Sequence, residues 1–288
     1  MIGIVVGSGC RLLHPPQPVE KVLLASRQLS RQALSALSQQ QWDQALAFSE
    51  QAVKTCPADL DARHVYAEAL WANGRREEAV QQLEEVLRLA PEDAVIYARM
   101  AEMHLVLGRI GLARQYANQA IERNPQLTEA WVVRARTARE VGDFRSALAD
   151  YHRALTYTPH HPEVLLEVAE VYRAMNQPDR ALATLHRLAD TYSPGEEPPQ
   201  VLYLQGLAYL SLNRAQEAAE VLALAIQRGG ASADGLYQLA QAEAATGQLL
   251  RAQQTLQQAL ALDPNHAPSR QLLAQLESVH PVQALLPR

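Results

Sequence analysis

Residues 131–159 read WVVRARTAREVGDFRSALADYHRALTYTP. Alanines stand at 135, 147 and 154, Gly142 lies between the first two, and Pro159 closes the segment. The same punctuation recurs along the chain. Pro57, Pro91, Pro125 and Pro159 are 34 residues apart, and Pro264 keeps the phase three repeats later once a three-residue insertion is counted. A fixed period of this length marks a stack of helix–turn–helix units.

Two further columns keep the phase. Small residues recur at Ala33, Ala67, Ala101, Ala135, Ala169, Gly206 and Ala240. A second set follows at Ala45, Ala79, Ala113, Ala147, Ala181, Ala218 and Ala252. A third runs through Ala52, Ala120, Ala154, Ala225 and Ala259, with Val86 and Leu188 in its gaps. Small side chains let helix backbones approach closely while larger apolar ones fill the grooves. Each unit is therefore expected to be two antiparallel helices meeting at alanines. Gly74, Gly108, Gly142 and Gly247, with Asn176 and Asn213, occupy the turn, where a left-handed backbone ends the first helix. Gln40 departs from this rule.

These columns, and above all Trp131, Ala135, Gly142-Asp143-Phe144, Ala147, Tyr151, Ala154 and Pro159, resemble the tetratricopeptide repeat family. The resemblance implies an all-α, right-handed superhelical solenoid. Seven repeats are expected at 26–59, 60–93, 94–127, 128–161, 162–198, 199–232 and 233–266. Residues 267–278 read as a capping helix, and 279–288 as a tail. The fifth-to-sixth step is 37 residues, with the extra three in the loop Ser193-Pro194-Gly195-Glu196-Glu197-Pro198-Pro199. That junction is where the stack is expected to open first.

Residues 1–25 read as a remnant signal and a Pro-rich linker. Ser8-Gly9-Cys10 resembles a bacterial lipoprotein cleavage site, which implies a lipidated Cys10 and an envelope location. The positively charged start and full apolar run of a secretory signal are missing. A short terminal stub is the competing reading. Ile4-Val5-Val6-Gly7-Ser8-Gly9 does not continue as a nucleotide-binding turn, because Leu12 stands where a third Gly is needed and Pro15, Pro16 and Pro18 block the helix.

The net charge of −5 and the lack of a basic stripe with interleaved aromatics argue against nucleic-acid binding. No zinc-protease, phosphate-loop, serine-elbow or Cys-x-x-Cys motif is present, so neither an enzyme nor a cofactor is expected. His160-His161 reads as a helix-cap site before Pro162. His64 and Glu68 lie one helical turn apart, and two ligands are too few for a structural zinc.

In the family, first helices line the concave face. Two positions there give Glu68, Trp71, Glu102, Arg136, Arg139, Glu170 and Arg173 here, with Leu34, Leu37, Leu105, Leu207, Leu210, Gln241 and Ala244. An adjoining column adds His64, Tyr203 and Tyr237. Glu102, Arg136 and Glu170, spaced by one repeat, are expected to form an ion-pair ladder. The sharper reading is a peptide groove in which arginines grip carboxylates or carbonyls and Trp71, Tyr203 and Tyr237 anchor the partner. Some family members clamp acidic chaperone tails. At the matching positions this chain has Ser30, Leu34, Glu68, Val95 and Arg99, of which only Arg99 suits, so that activity does not carry over. The reading is a protein-interaction scaffold, envelope-anchored through Cys10; a soluble accessory subunit of an enzyme complex is the alternative. The partner is a protein or peptide of unknown identity.

Overall fold

The computed structural model describes residues 19–279, and Cys10 lies outside them. Among the described residues there are fifteen α-helices and no strands. They form two compact units that divide between Asn124 and Pro125. The first holds three helical hairpins: α1 (Val19–Ser38) with α2 (Trp42–Thr55), α3 (Leu60–Ala72) with α4 (Arg76–Leu89), and α5 (Ala94–Val106) with α6 (Ile110–Arg123). The second holds four more. They are α7 (Thr128–Glu140) with α8 (Phe144–Tyr157), α9 (Pro162–Ala174) with α10 (Pro178–Ala189), α11 (Pro199–Ser211) with α12 (Ala215–Gly229), and α13 (Ala233–Ala245) with α14 (Leu249–Leu262). A last helix, α15 (Ala267–Val279), packs on α14. The first helix begins at Val19, inside the stretch read as linker, and its Ser26 is fully buried.

The alanine columns are where the helices of each hairpin touch. Every alanine in the three columns is 6% exposed or less. Gly206 shows why the column must be small. A Cβ placed there would lie 2.4 Å from Cγ of Leu222 on α12. In unit 2 these contacts merge into a continuous core of Val132, Tyr151, Leu155, Leu165, Leu185 and Leu188 with their neighbours.

Each hairpin turns in the same way. The second residue after the first helix takes a left-handed backbone: φ is +84° at Gly74, +71° at Gly108, +76° at Gly142 and +80° at Gly247. Asn176 at +53° and Asn213 at +57° do the same. Paired hydrogen bonds close the helix end, as in Gly142 N–H to Arg139 C=O at 2.9 Å and Asp143 N–H to Ala138 C=O at 2.9 Å. This double closure satisfies carbonyls that the helix leaves open. Gln40, which breaks the sequence rule, adopts φ +58° all the same, with the same pair of bonds to Leu37 and Ala36. Tertiary packing of α1 on α2 forces a side chain into a conformation that glycine enters freely.

Loop carbonyls are also used. Pro57 C=O accepts from Arg63 Nε at 2.9 Å and Pro125 C=O from Trp131 Nε1 at 2.7 Å. Asp59 caps α3 while accepting from Ser26 Oγ at 2.9 Å, which ties the N-terminal helix to the second repeat. The long loop between the fifth and sixth repeats is clasped. Arg228 Nη1 reaches Glu197 Oε2 at 2.9 Å, and Gly195 N–H donates to Glu197 Oε1. Arg228, then the local backbone donors, hold the Glu197 carboxyl down to about 2.

Two substitutions test this account. Gln40→Gly removes the left-handed cost at no loss of packing and raises stability by about 0.5–1 kcal/mol, read as a higher denaturant midpoint with an unchanged slope. Gly206→Ala gains about 1 kcal/mol of helix propensity but forces Leu222 aside at about 1–3 kcal/mol. The net expectation is destabilisation, and a rise in the midpoint would refute the small-column argument.

Candidate functional site

In unit 1 the first-helix face is built by α3 and α5. Arg99 of α5 reaches back to Glu68 of α3 with a two-pronged contact, Nε–Oε1 2.7 Å and Nη2–Oε2 2.6 Å. Its remaining arm takes Glu102 at 2.5 Å. His64 Nε2 sits 3.5 Å from Glu68 Oε1, one turn away on the same helix. Trp71 is half-buried, with the Arg99 and Arg76 guanidinium carbons 5.7 and 5.5 Å from its ring. His64, Glu68, Trp71 and Glu102 thus form one cluster, and Arg99 is its centre. Burial raises the Glu68 carboxyl, but hydrogen bonds from His64 and Arg99 outweigh it and leave it below the ordinary carboxylate value.

Unit 2 repeats the motif with the charges exchanged. Arg136 of α7 places Nε and Nη2 2.8 and 2.5 Å from Glu167 Oε1 on α9. Arg139 Nη1 adds a contact to Glu167 Oε2 at 3.4 Å, and the buried Tyr151 hydroxyl donates to that same oxygen. Burial, then the Glu167 carboxylate, push the Tyr151 hydroxyl far up, so it stays a donor. The expected ladder of Glu102, Arg136 and Glu170 is therefore corrected. Glu102 pairs with Arg99, Arg136 with Glu167, and Glu170 lies 3.8 Å from Arg139. Both inter-repeat pairs span 31 residues instead of 34. Consecutive first helices are staggered by about one turn, so a side chain meets the next repeat one turn toward its N-terminus.

Arg173 is different from the other arginines of this face. It is exposed, and no carboxylate of the described residues pairs with it. It lies at the rim of a cleft walled by Ala169, Ala181, Leu185, Leu204 and Ala208, where α9 and α10 meet α11. The cleft sits at the junction that carries the inserted loop. Tyr203 and Tyr237 are half-buried. Tyr203 packs on the core around Leu222 and Leu239. Tyr237 stands edge-on to His266 of the α14–α15 loop with centroids 5.8 Å apart, and its hydroxyl accepts from Gln241.

Sequence reasoning missed the role of Arg99 in this cluster, and missed Glu167 and the Tyr151 hydroxyl altogether. The signal was present as opposite charges 31 residues apart, one turn short of a repeat. Among the described residues no group of three His, Cys, Asp or Glu side chains is placed to hold a metal, and no helix is long and apolar enough to cross a membrane.

Family models described as tetratricopeptide repeat match residues 36–88, 70–136 and 138–201, and a second such model matches 199–228 and 233–266. Tetratricopeptide repeat protein 33 of Mus musculus is 29% identical over 126 residues, covering 44% of this chain and 47% of that protein. The chain thus spans about half the length of this curated relative. Among solved structures, Pseudomonas aeruginosa pilF superposes with a TM-score of 0.65 at 14% identity, covering 78% of this chain and 99% of that one. YrrB, described as a TPR protein with an unusual peptide-binding site, gives 0.60 at 17% identity, covering 66% and 96%.

The corrected pairing makes two predictions. Glu167→Ala removes the carboxylate shared by two arginines and a buried hydroxyl and costs about 2–4 kcal/mol, whereas Glu170→Ala costs under about 1 kcal/mol. Denaturant titrations that reverse this order would overturn the assignment. For pH, the depressed Glu68 carboxyl contributes stability that is complete above its unfolded value and is lost as pH falls through the lower folded value. Glu68→Gln flattens the acid limb of the stability profile below about pH 4.5, and an unchanged limb would contradict it.

Proposed function

The chain belongs to the tetratricopeptide repeat family, and from that premise we propose that it is a non-catalytic scaffold binding a peptide of a protein partner on its first-helix faces. The repeat fold is one that serves protein–protein interaction in general. The finer reading has the contact in unit 2, where Arg173 meets a carboxylate of the partner and apolar atoms of the partner cover the mouth of the shallow adjoining cleft. The single observation that carries it is the contrast between arginines. Arg99, Arg136 and Arg139 already hold carboxylates of the chain itself, while Arg173 holds none among the described residues. A guanidinium at the rim of an apolar cleft pairs charge recognition with burial, the combination found at interface hot spots. Tyr203 and Tyr237 extend the surface along α11 and α13, and Trp71 offers a separate aromatic platform in unit 1. The His64, Glu68, Glu102, Arg136, Arg139 and Glu170 side chains act as the frame that fixes these faces.

Anchoring in a bacterial envelope through a lipidated Cys10 belongs to the same proposal and is supported by the Ser8-Gly9-Cys10 stretch. Intact mass of the membrane fraction from the native host tests it. A species beginning at diacylated Cys10 supports anchoring, and a soluble species retaining Met1 removes it.

For the groove, peptides with free C-termini are selected from a random display library and their affinities compared across variants. Arg173→Ala is expected to weaken the selected peptides roughly tenfold or more, and Arg173→Lys, which keeps the charge but loses the paired donors, is expected to weaken them as well. Peptides that bind both variants and Trp71→Ala as tightly as the parent would sink the assignment.

A further inference from the structure

A different cationic cluster lies on the second helices of unit 2. His152 of α8 places Nε2 3.0 Å from the Tyr172 hydroxyl on α9, with the rings 6.3 Å apart. Arg180 of α10 lies across the same tyrosine, its guanidinium carbon 5.8 Å from the ring centroid. Arg187 stands two turns further along α10. Burial, then Arg187, then Arg180, hold the His152 ring below the ordinary imidazole value. Two fixed positive charges therefore act on one ring. The partner of Arg180 is the neutral Gln177 side chain at 3.3 Å, and no carboxylate among the described residues pairs with Arg180 or Arg187.

The next repeat supplies an internal comparison. His186 approaches the Tyr209 hydroxyl at 3.2 Å, and Arg214 lies 4.7 Å from the Tyr209 centroid. The His–Tyr–arginine arrangement is kept. There, however, Arg214 is neutralised by Glu217 at 2.7 Å. At His152 the same arrangement has gained a second arginine and has no acid. Gathering like charges around one imidazole is unfavourable unless an anion offsets it.

We propose that His152, Arg180, Arg187 and the Tyr172 hydroxyl form a binding site for a phosphate group, free or carried as a monoester. Guanidinium groups match phosphate oxygens with paired donors, and the bonded pair of the His152 ring and the Tyr172 hydroxyl leaves one further N–H or O–H to donate. Phosphate carries close to two negative charges near neutral pH, so two arginines favour it over a singly charged carboxylate. The site draws on His152 of α8, Arg180 and Arg187 of α10 and the Tyr172 hydroxyl of α9, and uses neither Arg173 nor the residues that wall its cleft. It is thus independent of the peptide reading.

The test is a titration of the full chain, with 13C-labelled histidine, by inorganic phosphate, O-phosphoserine and acetate. The His152 signal is assigned by its loss in His152→Asn. Saturable movement of His152, with His186 still, is expected for phosphate or O-phosphoserine. Tighter O-phosphoserine binding points to a monoester, and equal binding to free phosphate. Arg180→Gln with Arg187→Gln, both exposed positions, weakens that binding roughly tenfold without changing the helical circular dichroism. Three results each overturn the proposal: movement that does not saturate, acetate binding as tight as phosphate, or binding that survives in the double variant.

Discussion

Close approach of two helix backbones is the constraint on which everything else in this chain depends. Each hairpin closes only because a residue without bulk stands where its helices cross. At Gly206 even a methyl group would strike Leu222. Elsewhere alanine suffices, and the alanine columns are shut off from solvent. With the crossing fixed, the large side chains fall into the grooves between hairpins, and Tyr151, Leu165, Leu185 and Leu188 become one core. The left-handed turn residue follows from the same geometry. Gln40 accepts it as the glycines do, which shows that packing sets the turn and the residue type only sets its cost.

Stagger between successive hairpins then decides which side chains meet. Glu68 with Arg99, Arg136 with Glu167, and Glu197 with Arg228 all join residues 31 apart. The first two reach from one first helix to the next, and the third clasps the long loop. A charge on a first helix is thus answered one turn before the equivalent position of the next repeat. These pairs are half-buried, so each is weak as a source of stability but costly to break from one side. Their effect on function is indirect. They hold their arginines to the chain and, on the first helices of unit 2, leave Arg173 with no carboxylate of the described residues against it.

The helices also separate two kinds of chemistry. First helices carry the paired arginines with Trp71, Tyr203 and Tyr237, and the apolar cleft lies where α9 and α11 meet the second helix α10. Second helices of unit 2 carry His152 and His186, which reach tyrosines of the next first helices, with Arg214 neutralised by Glu217 while no carboxylate among the described residues pairs with Arg180 or Arg187. A repeat array can vary each surface independently, because the core columns that fold the chain occupy other positions in the repeat.

The sequence by itself determined the fold. A 34-residue period, small-residue columns and turn residues at fixed offsets are local, repeated requirements of backbone geometry, and composition records them directly. It also placed His64, Glu68, Trp71, Glu102, Arg136, Arg139, Glu170, Arg173, Tyr203 and Tyr237 on candidate positions of first helices. Tertiary structure alone decided which of them are spent on one another. Partner choice depends on the stagger between hairpins and on the tilt of long side chains, and neither is encoded at a single position. Hence Glu167, which no column had singled out, takes the arginines expected for Glu170, and Arg173, identical in type to Arg139, is left exposed beside a cleft formed only where α11 meets α9 and α10.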